Sequence, residues 1–423
     1  MSLAGTAAAP AISSRRAVVV GFVFLAAAAV IALVFGLGAN GGVDSRFILN
    51  PARGNSISVP DLVVPTRTTA FLLAAVCAFL GGVQLTRGFG RRTYLVLGLV
   101  VVLLVFAFLA WAARGNAHGL NLEGLLTSTL LRAVPITFGA LSGVLCERSG
   151  VINIGIEGML LTAAFTGSVV ASAANSLWLG LIMGAVAGGL LAWLLAVLAI
   201  RYRVDQIIAG TFINIFALGM TSYLSARVLE VHQELNAPGR FREIAIPGLS
   251  KIPIIGPMFF NNNVFIYILF LIIIATYVGL FYSRWGLRVR AVGEHPEAAD
   301  TVGIRVLFTR YRNVILGGLV AGIGGAYFTL GSVGRFDENM TAGRGFIGLA
   351  AMIFGRWNPV GAFLAALVFG FADSLQTSLS ILSVPIPSDF LLMAPYLVTI
   401  AVVAGLVRRA RPPAADGKPY IKE

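Results

Sequence analysis

Long apolar runs separated by polar connections recur along almost the whole chain. Eleven runs are long enough to cross a lipid bilayer as helices, for which about 20 mostly apolar residues are needed. They are residues 17–38, 68–85, 94–113, 122–145, 157–174, 177–200, 207–226, 264–282, 314–333, 345–379 and 390–407. Because lipid offers backbone groups no hydrogen-bond partner, each exposed span should be helical. The pattern predicts an all-α, polytopic membrane protein with about 10–11 transmembrane helices.

Composition supports this class and narrows the range of partners and ligands to be expected. Of the 423 residues, 58% are hydrophobic and 12% are charged, against roughly half and a quarter in soluble domains. The formal net charge is +13, but the basic residues flank apolar runs and form no continuous basic face, so no nucleic-acid partner is expected. The three His and two Cys are scattered singly, too few for a metal site or a disulfide framework.

Basic residues near the ends of the runs predict the orientation. Arg15 and Arg16 precede the first run, which exceeds the core of about 7–15 residues in a signal peptide and is interpreted as a retained helix. Most Lys and Arg residues lie in alternate connections that share a side with this N-terminus. Since positive charge is retained on the cytoplasmic side, both termini are predicted to be cytoplasmic.

Two glycine-rich stretches, residues 150–158 and 343–359, interrupt apolar sequence. An ungapped overlay aligns identical residues at Gly150 and Gly343 and at Met159 and Met352. On the predicted topology the two stretches enter the membrane from opposite sides, as an inverted repeat with broken helices would. The alternative is a chance similarity between glycine-rich helices.

Asn153 and Glu157 are the polar pair of the first stretch. On a helix they would share one face, about 6 Å apart along the axis. A carboxylate inside a membrane costs several kcal/mol unless it meets polar partners or water, which makes Glu157 a candidate for contact with a polar solute. The alternative is structural, with Glu157 bonded to the broken backbone around Gly155.

Further polar residues lie in two later runs. Asp205 is predicted to cap the helix that follows it. Asn214 can join helices through its amide or contact a polar solute, and joining is the simpler role. Asp373 and Gln376 carry the same two interpretations. The candidate pathway residues are Asn153, Glu157, Asn214 and Asp373.

The polar segment 284–305 lies between two strong spans on the predicted cytoplasmic side. Pro296 suits the first turn of a short helix, Glu297 favours its N-terminal end, and Gly303 suits its end. A short helix held between two spans can move both as a lever, although a solvated loop is the alternative.

No motif for catalysis is found. The sequence lacks G-x-x-x-x-G-K-[ST], G-x-S-x-G and H-E-x-x-H. A membrane-embedded enzyme is therefore disfavoured. If the protein depends on ATP, another chain must hydrolyse it.

Taken together, Pro135 and residues 147–159 (Glu-Arg-Ser-Gly-Val-Ile-Asn-Ile-Gly-Ile-Glu-Gly-Met) resemble the signature of nucleoside and simple-sugar ABC transporter permeases. These belong to the branched-chain amino acid and ribose permease superfamily. Residues 205–214, 290–299 and 317–326 follow in the family's order and approximate spacing. The resemblance covers about residues 122–407.

The resemblance implies a permease subunit of an ATP-driven importer in a bacterial inner or plasma membrane. The form of residues 147–155 favours nucleosides over simple sugars. The implied partners are a second related permease, a tandem ATP-binding protein that holds ATP and Mg²⁺, and an extracytoplasmic solute-binding lipoprotein. The chain itself should hold no cofactor. The residues that match the family's coupling loop, which docks into the ATPase, are Glu294, Pro296, Glu297, Ala298, Ala299 and Gly303.

Three regions are predicted: residues 1–120 as an extension of about three spans that short family members lack, 121–408 as the permease core, and 409–423 as a cytoplasmic tail. An ion-coupled secondary transporter is the alternative function, suggested by Glu157, Asp373 and the inverted repeat. The small number of intramembrane carboxylates argues against a proton relay.

Overall fold

The fold was analysed in a computed structural model, which describes residues 15–49, 59–116, 119–382, 393 and 411–422. Within these residues, ten helical stretches are long and apolar enough to span a membrane, which confirms the all-α polytopic fold. The predicted span at 390–407 lies outside the described residues. The chain divides into two compact units, Met1–Gly124 with Thr377–Ile386 and Leu125–Gln376 with Pro387–Glu423.

The first unit contains three helices and a small sheet. The helices are α1 (Arg15–Val30, continued by a π-helical turn at Ile31–Gly36), α2 (Thr66–Thr86) and α3 (Thr93–Ala113), and the strands are β1 (Asp44–Ile48), β2 (Leu62–Pro65) and β3 (Leu120–Asn121). β1 pairs antiparallel with β2 and parallel with β3. α1 and α2 pack through small residues, since a Cβ on Gly21 would lie 2.6 Å from the Leu85 side chain.

The second unit contains the remaining helices, apart from the first residues of α4 and the last residues of α13. They are α4 (Leu122–Glu147), α5 (Ile156–Ala174), α6 (Leu177–Ala196), α7 (Gln206–Leu224), α8 (Val264–Tyr282), α9 (Arg284–Glu294), α10 (Pro296–Thr301), α11 (Val306–Ala326), α12 (Arg344–Phe354) and α13 (Pro359–Ile381). π-Helical turns continue α6, α7 and α11 to residues 201, 229 and 333. Two short strands, β4 (Ile244–Ala245) and β5 (Asn261–Asn262), pair in the connection between α7 and α8.

Helices α4 and α11 form the centre of this unit. In the 18-residue apolar stretch of each span, 89% and 72% of the residues are buried in α4 and α11, against 28% in the span that begins with α7. α6 approaches α11 through glycines, because a Cβ on Gly188 would lie 2.7 Å from the Cα of Gly322. Small residues let the two backbones meet, as is common where helices pack in lipid.

The predicted break at 343–359 is present and divides the 345–379 run into two helices. α12 is a short helix, and the left-handed residues Arg356 and Trp357 (φ of +58° and +52°) turn the chain into α13. Asn358 caps α13 by accepting a hydrogen bond from the backbone N–H of Val360 at 3.0 Å. Pro359 starts the new helix, where a missing N–H does no harm.

Candidate functional site

A non-helical loop, residues 148–155, precedes α5. Gly150 has a φ of +85°, a left-handed conformation that glycine adopts readily, and α5 begins only at Ile156. Asn153 therefore lies in the loop, and the prediction that it shares a helix face with Glu157 is wrong. The reason is that the turn at Gly150 takes the chain out of helical geometry before Asn153 is reached.

Side chains of α7 satisfy the backbone of this loop. Gln206 accepts a hydrogen bond from the N–H of Ile152 at 2.7 Å. Asn214 accepts one from the N–H of Gly158 at 2.8 Å and donates one to the carbonyl of Ile154 at 2.9 Å. Within a membrane span these backbone groups would find no partner in lipid. The contacts of Asn214 thus join α7 to the start of α5.

Glu157 caps the second broken segment. Its Oε1 accepts hydrogen bonds from the Thr341 hydroxyl at 2.6 Å and the Gly343 N–H at 2.8 Å, and its Oε2 accepts one from the Gly345 N–H at 2.6 Å. These donors lie at the start of α12, where a carboxylate is favourable. The contacts match the structural alternative, but the backbone that Glu157 binds is this segment and not that around Gly155.

Glycines of α12 allow this close approach. A Cβ on Gly345 would lie 2.6 Å from the backbone nitrogen of Glu157, and a Cβ on Gly348 would lie 3.1 Å from the backbone of Gly139 in α4. Gly345 and Gly348 are three residues apart and therefore share one helix face. This glycine face brings α12 against both α4 and α5.

Asn153 is fully buried. Its amide nitrogen lies 3.4 Å from Ser142 Oγ, 3.5 Å from Cys146 Sγ and 3.6 Å from Met159 Sδ. Within the described residues its side-chain oxygen has no hydrogen-bond partner. Cys146 and Met159 belong to a buried apolar cluster, so Asn153 lies in closed protein rather than on an open surface.

Asp373 forms a group of charges with two arginines. Its carboxylate lies 2.7 Å from Arg132 on α4 and 3.8 Å from Arg344 on α12, and the three side chains are 27–30% exposed. At a rise of about 1.5 Å per residue, Arg132 lies roughly 15 Å along α4. Arg132 and Arg344 are absent from the sequence-based candidates, although Arg132 stands out as the one basic residue within the apolar run 122–145.

The predicted coupling segment forms α9 and α10. Ser283 caps α9 by accepting a hydrogen bond from the Gly286 N–H at 3.1 Å. Pro296 is the first residue of α10, and Gly303 follows it with a φ of +82°. The sequence predicts a short surface helix with these ends, and the structure confirms it.

The six residues predicted for the coupling loop divide between two faces. Pro296 and Ala299 are buried and anchor α10 to the rest of the unit. The exposed ones are Glu294, Glu297, Ala298 and Gly303. The exposed face is available to another protein.

α9 packs directly on the chain that leads into α5. A Cβ on Gly293 would collide with the Arg148 carbonyl oxygen. The Arg148 guanidinium donates hydrogen bonds to the carbonyls of Trp357 at 3.0 Å and Arg356 at 3.3 Å. Burial lowers the pKa of Arg148, while the nearby Glu294 carboxylate opposes that shift. The coupling segment, the end of α4 and the α12–α13 turn therefore meet in one place.

Comparison with known proteins places this geometry in a family. Residues 125–403 match the family described as the permease component of the branched-chain amino acid transport system. The chain is 41% identical over 309 residues to the guanosine ABC transporter permease protein NupQ of Bacillus subtilis, which covers 70% of this chain and 96% of NupQ.

Two further relatives show the breadth of the match. The nucleoside ABC transporter permease protein NupC of Lactococcus lactis subsp. cremoris is 40% identical over 316 residues, or 71% of this chain and 98% of NupC. The glucose ABC transporter permease protein TsgB13 of Haloferax volcanii is 32% identical over 259 residues, or 58% of this chain and 67% of TsgB13. No solved structure matches the chain.

The matched region contains the four candidate pathway residues, both broken-helix starts and α9–α10. This region is more than half of the chain, and the separate alignments with NupQ and NupC cover nearly their full lengths. The chain therefore belongs to the branched-chain amino acid transport system permease family and is a membrane-spanning permease subunit of an ABC transporter.

Proposed function

We propose that this chain is a permease subunit of an importer that moves nucleosides into the cell and is driven by a separate ATPase. The observation that carries the proposal is the identity of 41% and 40% to NupQ and NupC across nearly their whole lengths. The glucose permease TsgB13 is less similar, at 32% identity. Nucleosides are therefore favoured over simple sugars.

The charged group formed by Arg132, Arg344 and Asp373 supports a polar pathway. Charges in the middle of membrane spans normally face a protein interior or a water-filled path, since lipid cannot solvate them. Here they are partly exposed on this chain. A second, related permease subunit that covers this surface would enclose a path lined with donors and acceptors for the hydroxyls and base of a nucleoside. Glu157 and Asn214 hold the helices around this path, and Asn153 lies behind them.

The exposed face of α9–α10 supports docking to an ATPase. Glu294, Glu297 and Ala298 would contact a tandem ATP-binding protein, which holds the ATP and Mg²⁺ that this chain does not bind. The close packing of Gly293 on Arg148 gives a displacement of α9 a direct route to the loop before α5. On the opposite side of the membrane, a solute-binding lipoprotein would deliver the nucleoside.

Uptake by the purified native complex in proteoliposomes tests the proposal. We expect radiolabelled guanosine to enter only when ATP is available to the ATPase, and to be displaced by other nucleosides but not by glucose or ribose. Displacement by glucose would assign the importer to sugars. Uptake that needs an ion gradient and is indifferent to ATP would establish the secondary transporter instead.

Labelling of a cysteine placed at His295 tests the orientation. His295 is 79% exposed, and the native Cys77 and Cys146 are buried, so background labelling should be small. With both termini cytoplasmic, a membrane-impermeant reagent should label this cysteine in inside-out vesicles and not in intact cells. Labelling in intact cells would contradict the proposed coupling segment.

Replacement of residues 294–299 by a Gly/Ser stretch tests ATPase docking. We expect the variant to reach the membrane but to lose the ATPase on purification. Retained ATPase binding would contradict the assignment of α9–α10.

A further inference from the structure

The C-terminal segment, residues 411–422, lies against the end of the coupling helix. The N–H of Ala415 donates a hydrogen bond to the carbonyl of Gly293 at 2.9 Å. The N–H of Ala414 donates one to the Glu294 carboxylate at 3.2 Å. Gly293 lies in the last turn of α9, whose backbone carbonyls lack partners within the helix, and Glu294 is the last residue of that helix. The segment therefore binds the coupling helix where the helix needs partners.

Tyr420 anchors the segment in an apolar cluster. Its side chain is 7% exposed and packs with Val292 of α9, Ala299 of α10 and Val306 of α11. A buried aromatic side chain is a large source of packing energy. One residue of the segment thus contacts the coupling segment and the start of the next span together.

The same segment also contacts the loop that leads into α5. A Cβ on Gly417 would lie 2.8 Å from the Ile152 side chain, and a Cβ on Gly150 would lie 3.1 Å from the Ala415 carbonyl oxygen. Arg310 of α11, which is 2% exposed, donates a hydrogen bond to the Lys418 carbonyl at 2.8 Å. The segment therefore bridges α9–α10 and the loop before Glu157.

A pair of carboxyl groups lies under this bridge. Asp416 lies beside Glu147, the last residue of α4. Two carboxyl groups can form a hydrogen bond only when one of them carries a proton. Burial raises the pKa of Asp416 to about 7, so this carboxyl group can carry a proton near neutral pH. Glu147 also accepts a hydrogen bond from the Trp357 indole at 2.6 Å.

We propose that residues 411–422 form an intramolecular clamp that holds α9–α10 against the loop before α5 and so carries movement of the coupling segment to Glu157. This inference rests on the proposed coupling to an ATPase. The clamp adds a second connection, through Tyr420 and Ala415, to the direct contact between Gly293 and Arg148. A coupling segment without it would dock and move but pass on less of its displacement.

Two variants remove the clamp, and two serve as matched controls. Deletion of residues 411–423 removes it completely, and Tyr420→Ala removes its anchor. Tyr420→Phe keeps the ring, and Lys422→Ala removes the ion pair, at 3.9 Å, between the exposed Lys422 and the half-buried Asp300. The measurement is the amount of guanosine taken up per ATP hydrolysed by the native complex in proteoliposomes. A residue with only a structural role would lower the quantity of complex and leave this ratio unchanged.

We expect the ATPase to co-purify with all four variants, because Glu297 and Ala298 remain exposed. Uptake per ATP should fall on the order of tenfold in the deletion and in Tyr420→Ala, a usual size for coupling between sites, and stay near wild type in the controls. An unchanged ratio would overturn the clamp. The clamp would also be overturned if ATPase activity and uptake fell together because less complex is assembled. Wild-type uptake that does not need ATP would refute the proposed function instead.

Discussion

Helices α7 and α12 both start at a polar break in apolar sequence, and a carboxylate caps each of them. Asp205 immediately precedes α7 and accepts hydrogen bonds from the N–H groups of Ile207 at 2.9 Å and Ile208 at 3.0 Å. The cap of α12 is Glu157, which accepts from donors 184–188 residues away in sequence. The local cap stabilises one helix, whereas the distant cap also fixes α12 to α5.

The two caps should therefore differ in the free energy of unfolding that is lost when each is removed. Loss of a local cap costs about 1 kcal/mol, because water can solvate the freed N–H groups. Loss of the distant cap leaves buried donors unpaired, at about 1–3 kcal/mol for each group. It also releases one broken segment from the other. Substitutions that break the contacts of α12 with Glu157 should therefore disturb the proposed path, and loss of the Asp205 cap should not.

The largest effect is expected for Gly345→Ala. The new Cβ would lie 2.6–2.7 Å from the backbone and carboxylate of Glu157, so α12 must move away from α5. Overpacking and the loss of hydrogen bonds together should lower the free energy of unfolding by on the order of 3 kcal/mol. Thermal unfolding of the purified protein measures this loss.

The matched control is Gly219→Ala in α7. No atom lies within 4 Å of the position that the new methyl group would take, and the residue is exposed. Alanine should stabilise that helix slightly, by up to about 1 kcal/mol. If both variants unfolded at the wild-type temperature, α12 would not approach α5 as closely as described.

Glu157→Gln should have the next largest effect. The substitution replaces one acceptor oxygen by an amide NH₂ that faces N–H and O–H donors. We expect a loss of about 2 kcal/mol and a clear fall in uptake, with membrane insertion unchanged because the hydrophobic spans are intact. Uptake in vesicles, normalised to the amount of protein in the membrane, measures the effect. Full uptake would show that Glu157 has only a structural role.

A third carboxylate, Asp416, is buried beside another acid instead of a helix start. It faces Glu147 of α4, Arg310 of α11 and the backbone N–H of Gly417, and burial raises its pKa from 3.8 to about 7. Protonation therefore favours the docked segment. The stabilisation of the docked segment by this proton is complete below a pH of about 4 and is lost as the pH rises through about 7.

Between pH 6 and pH 8 the equilibrium constant for docking of residues 411–422 should fall by about tenfold, or about 1.4 kcal/mol. Hydrogen exchange of this segment in the native complex measures the change. Asp416→Asn should bind equally well at both pH values, because the amide can donate to Glu147 without a proton. A pH dependence that persists in this variant would assign the titration to another group.

The sequence predicts the features whose signals are local, meaning that they come from residues close together along the chain. The apolar runs, the Asp205 cap, the start of α10 at Pro296 and the turn at Gly303 that follows it are all of this kind. The helical prediction for Asn153 weights its spacing from Glu157 above Gly150, and the left-handed Gly150 overrides that spacing. The signal that corrects this prediction is present in the sequence.

Contacts between distant residues could not be predicted, because helix packing alone brings them together. The partners of Glu157 at 341–345, the pairing of Arg132 with Asp373 and the docking of Tyr420 on α9–α11 have no local signature. A carboxylate in a membrane span indicates that it needs a partner, but not which one. The existence of a polar site was therefore predictable, and its geometry was not.

The smallest effect is expected for Asp205→Ala, which removes the local cap of α7. The loss should be about 1 kcal/mol, since Asp205 is exposed and water can replace it. Asn214 lies two turns further along and should keep its hydrogen bonds to the α5 loop, so uptake should stay near wild type. Asp205→Asn, which retains an acceptor, should unfold at nearly the wild-type temperature. Only a cap that joins two elements should lower uptake by more than the loss of stability explains. If Asp205→Ala lost as much uptake as Glu157→Gln, the start of α7 would therefore be as tightly coupled to the pathway as α12.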